Sequence, residues 1–382
     1  MYQLRDYQAE AASRAVAHLR NSRSNGILIL PTGSGKSLVI AEIAYRLNEP
    51  VLIFQPSKEI LEQNAGKMRS YGVDGVAIYS ASCGSKEVGR FTFSMIGSAI
   101  HNLDAFRKFR YIIIDECHLV NSEYGMYQKF IRAIGCKVLG LTATPYRLYS
   151  DRYYGSMLRF ITRTSPRIFS TVIYYVQVKD LLRRGFLAPL NYYELPIVDT
   201  SRLIVNTTGN DYTDESVREL YAKIQYADQL ENVVQRLLAA GRTSVLVFTR
   251  FTEEAIRLSE RFGEASAVVT GETPKKEREA IISAFKAKQI NVVVNVGVLT
   301  TGFDFPELDT LLIARPTRSL SLWYQMVGRA IRPFPGKQGW VVDLCGTYKR
   351  FGKVEDLEIK QRVAGKYAIF NKTRQLTNIY FK

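Results

Sequence analysis

A glycine-bearing loop between an apolar strand and a helix constrains this chain more than any other stretch: Gly26–Leu30 runs into Pro31-Thr-Gly-Ser-Gly-Lys-Ser37. Backbone N–H groups of such a turn can wrap an anion, and a helix opening near Lys36 aims its positive dipole end at the same point. The lysine suits the β- and γ-phosphates of a nucleotide, and the Ser37 hydroxyl suits a Mg2+ ion beside them. The expected cradle is Pro31, Thr32, Gly33, Ser34, Gly35, Lys36 and Ser37. Leu30 stands where the usual pattern has its first glycine, so Gly33 is expected to supply the close approach.

A second motif answers the first. Asp115-Glu-Cys-His118 closes the apolar run Tyr111–Ile114. Asp115 would share the metal's hydration shell with Ser37, and Glu116 is placed to orient and deprotonate an attacking water. The loop alone could be a chance Gly/Ser turn between a strand and a helix, and the acidic pair alone a solvated strand end. In this order, each after an apolar strand, they point to a nucleotide triphosphatase that uses Mg2+.

The chain has 382 residues, room for two domains, and 46% hydrophobic content to fill their cores. Its formal charge is +16, which calls for a polyanionic partner. No apolar run approaches the roughly 20 residues that span a bilayer, so nucleic acid is favoured over membrane. Arg5, Asp6, Glu10 and Arg14 interrupt the first twenty residues, which leaves no signal-peptide core, and a cytoplasmic, monomeric protein is expected. Cys83, Cys117, Cys136 and Cys345 are scattered without a C-x-x-C pair, so no structural zinc and no disulfides are expected. His18 and His101 belong to no chemical constellation.

Apolar strands alternate with helical stretches at Gly26–Leu30, Val51–Gln55, Val76–Ser80, Phe91–Ile96, Tyr111–Asp115 and Lys137–Leu141. A second series follows at Ser244–Thr249, Ala267–Thr270, Asn291–Val296, Leu311–Ala314 and Trp340–Leu344, with helices near Glu253–Phe262, Lys275–Ala287 and Leu320–Ala330. The fold class is therefore α/β, two tandem units each with a mainly parallel sheet wound with helices. The first domain is placed at 1–200, the second at 215–350, and a basic tail at 351–382. Within the first, 146–193 carries eleven Tyr or Phe and eight Lys or Arg against Asp151 and Asp180. Those rings and cations either stack bases beside a phosphate track or pack the domain junction.

Taken in order, these motifs resemble those of the superfamily 2 helicases, DNA-acting members with a DEAD/DEAH-like box, from about Tyr2 to Arg350. The resemblance implies two RecA-like domains. Leu4-Arg-Asp-Tyr-Gln8 resembles the Q motif, which implies adenine recognition by Arg5 and Gln8. Gln55-Pro-Ser-Lys-Glu-Ile-Leu-Glu-Gln63 resembles motif Ia and implies backbone contacts from Ser57 and Lys58. The Asp115–His118 box implies catalytic roles for Asp115, Glu116 and His118. Leu141-Thr-Ala-Thr-Pro145 resembles motif III, implying strand coupling through Thr142 and Thr144. Leu246–Arg250 resembles motif IV, with Arg250 at the nucleic acid. Leu299-Thr-Thr-Gly-Phe-Asp304 resembles motif V, with Thr300 and Thr301 at the strand and Gly302 and Asp304 at the nucleotide.

Tyr324-Gln-Met-Val-Gly-Arg-Ala-Ile-Arg332 resembles motif VI. Spacings of four and three put Gln325, Arg329 and Arg332 on one face of a helix, where they could meet a γ-phosphate held by the other domain. Arginine fingers of this kind contribute about 10³ to 10⁵ in turnover. The Cys-His ending of the box and the Thr-Ala-Thr of motif III are most like bacterial and phage repair motors of the RadD and UvsW type. The chain departs from RadD in having no cysteine-rich zinc module after Arg350. The expected function is an ATP-dependent DNA helicase or translocase on repair, recombination or replication-fork intermediates, with repair or recombination proteins as further partners. An RNA helicase and a non-motor DNA-binding ATPase switch stay open as alternatives.

Overall fold

The computed structural model describes residues 3–122, 124–151, 153–300 and 302–381. Its first sheet holds β1 (Gly26–Ile29), β2 (Val51–Phe54), β3 (Val76–Ser80), β4 (Ser85–Lys86), β5 (Phe91–Ser94), β6 (Tyr111–Ile114) and β7 (Lys137–Thr142). Two strands, β8 (Tyr146–Asp151) and β9 (Gly155–Phe160), then form an antiparallel hairpin, after which β10 (Thr171–Tyr175) returns to the first sheet beside β1. That sheet runs β10-β1-β7-β6-β2-β5-β3-β4, parallel except for β4. Every residue of β1, β2, β5 and β6 is buried, as strands covered by helices on both faces must be. Helix Asp6–Asn21 turns Tyr7, Ala11, Ala12, Ala15, Val16 and Leu19 inward against helix Lys36–Leu47; its alanines let the two axes come close.

The second sheet is parallel throughout: β11 (Leu190–Glu194), β12 (Val245–Phe248), β13 (Ser266–Val269), β14 (Val292–Asn295), β15 (Thr310–Ile313) and β16 (Gly339–Asp343), in the order β11-β16-β15-β12-β14-β13. All eleven strands expected from the sequence are present, with ends moved by no more than two residues. Its edge strand corrects the expected boundary. Leu190–Glu194, assigned by sequence to the 1–200 domain, pairs along its whole length with β16, so the second unit begins before residue 190. Nothing local in Leu-Asn-Tyr-Tyr-Glu says which sheet will accept it; the choice is made by a partner some 150 residues away.

The expected tail is also folded. Residues 351–382 form β17 (Leu357–Val363), β18 (Lys366–Asn371), β19 (Arg374–Gln375) and β20 (Tyr380–Phe381). The first three make an antiparallel sheet, while β20 pairs with β9. Leu357 and Ile359 point inward and Lys360 and Arg362 outward; the density of cations masked this period-two pattern. The module fastens to both units. Both ends of the Gln177 amide pair with the backbone of Ile359 (2.8 and 3.0 Å), and Trp323 Nε1 donates to Gly352 O (3.1 Å).

Candidate active site

At the carboxyl ends of β1, β6 and β7 the first sheet delivers the cradle, the acidic pair and the Thr142–Thr144 turn to one place, the usual position of a ligand site in a doubly wound sheet. Gly33 and Gly35 have φ of +86° and +80°. A Cβ on Gly35 would lie 2.5 Å from Gln8 Nε2, and one on Gly33 2.9 Å from Leu187 and 3.4 Å from Arg332, so both positions are closed to a side chain. The loop is held from behind: Tyr7 Oη and Gln8 Nε2 both donate to Ser34 O at 2.8 Å. Gln8 Oε1 also accepts from Arg5 N (2.9 Å). Gln8 thus lines the cleft with part of its amide already engaged, whereas the Arg5 guanidinium stacks on Phe186, 4.1 Å from the ring centroid, and does not line it.

Lys36 opens its helix and reaches across to Glu116, Nζ to Oε1 3.4 Å. Glu116 is also 3.3 Å from His118 Nδ1. Burial works against its charge, but Lys36 and His118 outweigh it and hold the Glu116 carboxyl low. Asp115, the more deeply buried of the two, is pushed the other way by desolvation and by Glu116. Glu116 is thus the more readily ionised of the two carboxyls, and Asp115 Oδ1 accepts from Glu116 N (2.9 Å). Glu116 sits at φ +47°, an uncommon conformation for a side chain of this size and one not foreseeable from sequence.

Ser37 Oγ donates to Asn64 Oδ1 at 2.7 Å, which leaves its lone pairs turned outward. With the buried Asp115 carboxylate beside it, this donor set suits a hard cation of the Mg2+ kind. Asn64 is in the helix Lys58–Ser70 and bonds Gln55 Oε1 as well. No motif expectation covered it, and a lone Asn inside a helix carries no signal of such a role. Lys67 of the same helix and Tyr71, which caps its end, also line the cleft.

The opposite wall belongs to the second unit. Gln325, Arg329 and Arg332 line the same cavity of about 260 Å3 as Lys36, Ser37, Asp115 and Glu116, together with Gly302 and Asp304. Their convergence does not come from one helix face. The helix is Leu320–Val327, and Arg329 and Arg332 follow its end, reached through tight turns (Arg329 N to Met326 O, Ala330 N to Val327 O, 3.0 Å each). Gly328 itself keeps right-handed dihedrals (φ −58°, ψ −14°) and donates to Tyr324 O (2.9 Å), so the departure begins after it. Arg332 Nε is 3.4 Å from Asp304 Oδ1. Arg329 donates to Phe303 O (2.6 Å), and burial together with Arg332 brings its pKa down to about 10, which still leaves it charged at neutral pH.

The residues expected at nucleic acid divide differently. Ser57 caps the helix Lys58–Ser70 and lines a second cavity of about 470 Å3. Glu116 and Gln325 line both cavities. Lys58 donates to Ser82 O. Thr142 and Thr144 are fully buried: Thr142 Oγ1 bonds His118 Nδ1 (2.9 Å) and accepts from Thr144 N (3.0 Å), so they lie under the surface and cannot touch a strand directly. Arg250 is likewise withdrawn, held by Asp211, Asp214 and Tyr212 O. Thr300 is mostly buried, and Thr301 lies outside the described residues.

Residues 1–147 match the family described as type III restriction enzyme, res subunit, and 227–333 match the helicase conserved C-terminal domain. The chain is homologous to superfamily 2 helicases. A "51.5 kDa protein" of a Lactococcus phage is 28% identical over 320 residues, covering 82% of this chain and 64% of its own. The "DNA 3'-5' translocase XPB2" of Sulfurisphaera tokodaii is 26% identical, covering 86% of this chain and 79% of its own; the "DNA 3'-5' helicase XPB" of Kineococcus radiotolerans is 27% identical over 86% and 57%. The chain thus spans 64% of the phage relative and little over half of the Kineococcus one. Among solved structures, the DNA-bound type ISP restriction-modification enzyme LlaBIII superposes with a TM-score of 0.64 at 18% identity, over 90% of this chain and 28% of that one. The Pyrococcus furiosus Hef helicase domain gives 0.53 at 15%, over 90% and 95%. These likenesses establish the tandem RecA-like fold of the helicase domains.

No helix among the described residues is long and apolar enough to cross a membrane, and no group of three or more His, Cys, Asp or Glu among them could hold a metal ion.

Proposed function

We propose that this chain is a DNA-dependent ATPase of superfamily 2, a helicase or translocase that works on repair, recombination or replication-fork intermediates. One observation carries it: Lys36, Ser37, Asp115 and Glu116 of one unit and Gln325, Arg329 and Arg332 of the other line a single cleft. Such a cleft can sense whether the two units are closed, which is what converts hydrolysis into movement. The relatives named as DNA 3'-5' translocase and helicase favour DNA over RNA. The repair-motor subgroup, of RadD and UvsW type, is supported by the motif sequences themselves, above all Val327-Gly-Arg-Ala-Ile-Arg332.

In this mechanism the cradle amides and Lys36 bind the β- and γ-phosphates of ATP. Ser37 and Asp115 would hold Mg2+, which supplies charge neutralisation on the phosphate oxygens. Glu116, kept ionised by Lys36 and His118, orients the water and takes its proton. Arg332, lying over Gly33, and Arg329 stabilise charge on the transferring phosphoryl group. Gln325 sits where both cavities meet and reports the nucleotide to the strand path. The test is ATP turnover titrated with single-stranded, duplex, forked and four-way DNA, and with RNA of the same sequence. DNA should stimulate and RNA should not; equal stimulation by RNA, or none by any DNA, overturns the proposal.

A further inference from the structure

We infer that the β8–β9 hairpin, backed by β20 and the C-terminal sheet, is a strand-separating platform that takes the bases opened at a duplex–single-strand junction onto Tyr153, Tyr154 and Tyr380. The inference rests on the DNA reading above and adds to it where the duplex is opened. Tyr153 and Tyr154 are 86% and 67% exposed and Tyr380 42%, although aromatic side chains usually seek the interior. Tyr154 and Tyr380 lie with ring centroids 5.4 Å apart, tilted by 37°, which extends the aromatic surface across two strands.

The tip is built to hold that surface still. Asp151 Oδ1 accepts from the backbone N–H of both Tyr153 (2.8 Å) and Tyr154 (3.0 Å). Below it the hairpin is paired without a break from Tyr146↔Phe160 to Asp151↔Gly155, and β20 adds a third strand through Tyr380↔Met157. Asn378 Oδ1 accepts from Phe160 N (3.0 Å), tying the C-terminal segment to the hairpin base. A platform fixed before binding loses little freedom when a base stacks on it.

Charge identifies the occupant. Residues 146–170 and 351–382, the hairpin region and the C-terminal module behind it, hold twelve Lys or Arg and four acids, so they carry +8 of the net +16. An aromatic surface inside a basic field fits a nucleobase on a phosphate backbone, whereas a protein partner would need a strongly acidic face. The hairpin is also rooted at the hydrolytic machinery. Tyr146 N donates to Thr144 O (2.8 Å) and Ile161 N to Pro145 O (2.9 Å), while Tyr146, Arg147 and Leu148 line the second cavity with Glu116 and Gln325. A strand in that cavity would leave it at the hairpin.

The experiment compares the full chain with Tyr153→Ala/Tyr154→Ala and with Tyr153→Phe/Tyr154→Phe on a fork carrying 2-aminopurine at the first unpaired position. Wild type and the Phe pair should quench the fluorophore and displace a blocked strand. The Ala pair should lose the quench and displace on the order of tenfold more slowly, while DNA-free turnover and melting temperature stay unchanged. Displacement by the Ala pair at the wild-type rate, or a persisting quench, overturns the platform. So does a wild-type chain that hydrolyses ATP with DNA yet never quenches the junction base. Absence of any DNA stimulation in the wild type instead overturns the function beneath it.

Discussion

Replacing Glu116 by Gln tests the cleft most directly, because it removes one negative charge and almost no volume. In the native cleft that charge stands 3.4 Å from Lys36 Nζ and 3.3 Å from His118 Nδ1. At an effective dielectric near 20, the Lys36 interaction alone is about 5 kcal/mol, and desolvation of the two buried groups cancels much of it. Glu116→Gln does not strand Lys36, since Asp115 remains beside it and its carboxyl, pushed up by burial and by Glu116, ionises more readily once Glu116 is neutral. The variant should therefore fold, bind nucleotide as tightly as wild type, and lose about 10² to 10⁴ in turnover with the base. Lys36→Ala is the contrasting case. It leaves two adjacent carboxyls without a cation, so it should abolish nucleotide binding and lower stability by about 3 kcal/mol at pH 8, less at pH 5. Titration with a fluorescent ATP analogue, steady-state hydrolysis on forked DNA and thermal melts separate the two. Turnover of Glu116→Gln within tenfold of wild type would refute its role as the base.

Gly35→Ala should cost about 1 to 3 kcal/mol and weaken nucleotide binding, because φ is +80° and the new methyl would meet Gln8; an unchanged melt contradicts this. Glu254 has its pKa raised from 4.5 to about 7, burial being the main cause. A folded-state value above the unfolded one means that stability is complete below the unfolded pKa and is lost as pH rises through the folded one. Glu254→Gln should thus match wild type near pH 4 and gain on it up to about 3 kcal/mol by pH 8, read as a widening gap in melting temperature. DNA affinity should fall by about 10³ to 10⁵ between 50 and 200 mM salt if six to ten phosphates are neutralised; a flat profile would leave the charge of the chain unexplained.

The parts legible in the sequence are those whose chemistry is local. Strand β1, the loop after it and Lys36 are contiguous, and the Asp115-Glu116 pair sits directly on the end of β6, so spacing alone located them. Gln325, Arg329 and Arg332 were found for a partly wrong reason. The helix stops at Val327, and the arginines reach the cleft through turns that place them under Phe303 O and beside Asp304. What stayed hidden is what depends on distant partners. Asn64 holds Ser37, Tyr7 holds Ser34, and Asp211 with Asp214 withdraws Arg250, in each case across at least 27 residues. The fate of Leu190–Glu194 and of the C-terminal strands was likewise set by pairing that no local pattern announces.

The burial of Thr142 and Thr144 changes how hydrolysis can reach the strand. Both hydroxyls were expected at the nucleic acid, yet neither meets solvent. A chain of contacts runs instead from Glu116 to His118 Nδ1, on to Thr142 Oγ1, then to Thr144 N, and Thr144 O receives Tyr146 N at the start of β8. Contiguity of this kind is a route, and it becomes a coupling only if one of its members has two arrangements. His118 is the member able to have them: its ring nitrogen faces both the Glu116 carboxylate and the Thr142 hydroxyl, so loss of the Glu116 charge on taking a proton weakens one partner and leaves the other. The consequence would appear at β8, whose far end bears the exposed tyrosines. In the proposed motor the Thr142–Thr144 turn would therefore reach the strand through the hairpin it begins, and not through hydroxyls offered to DNA.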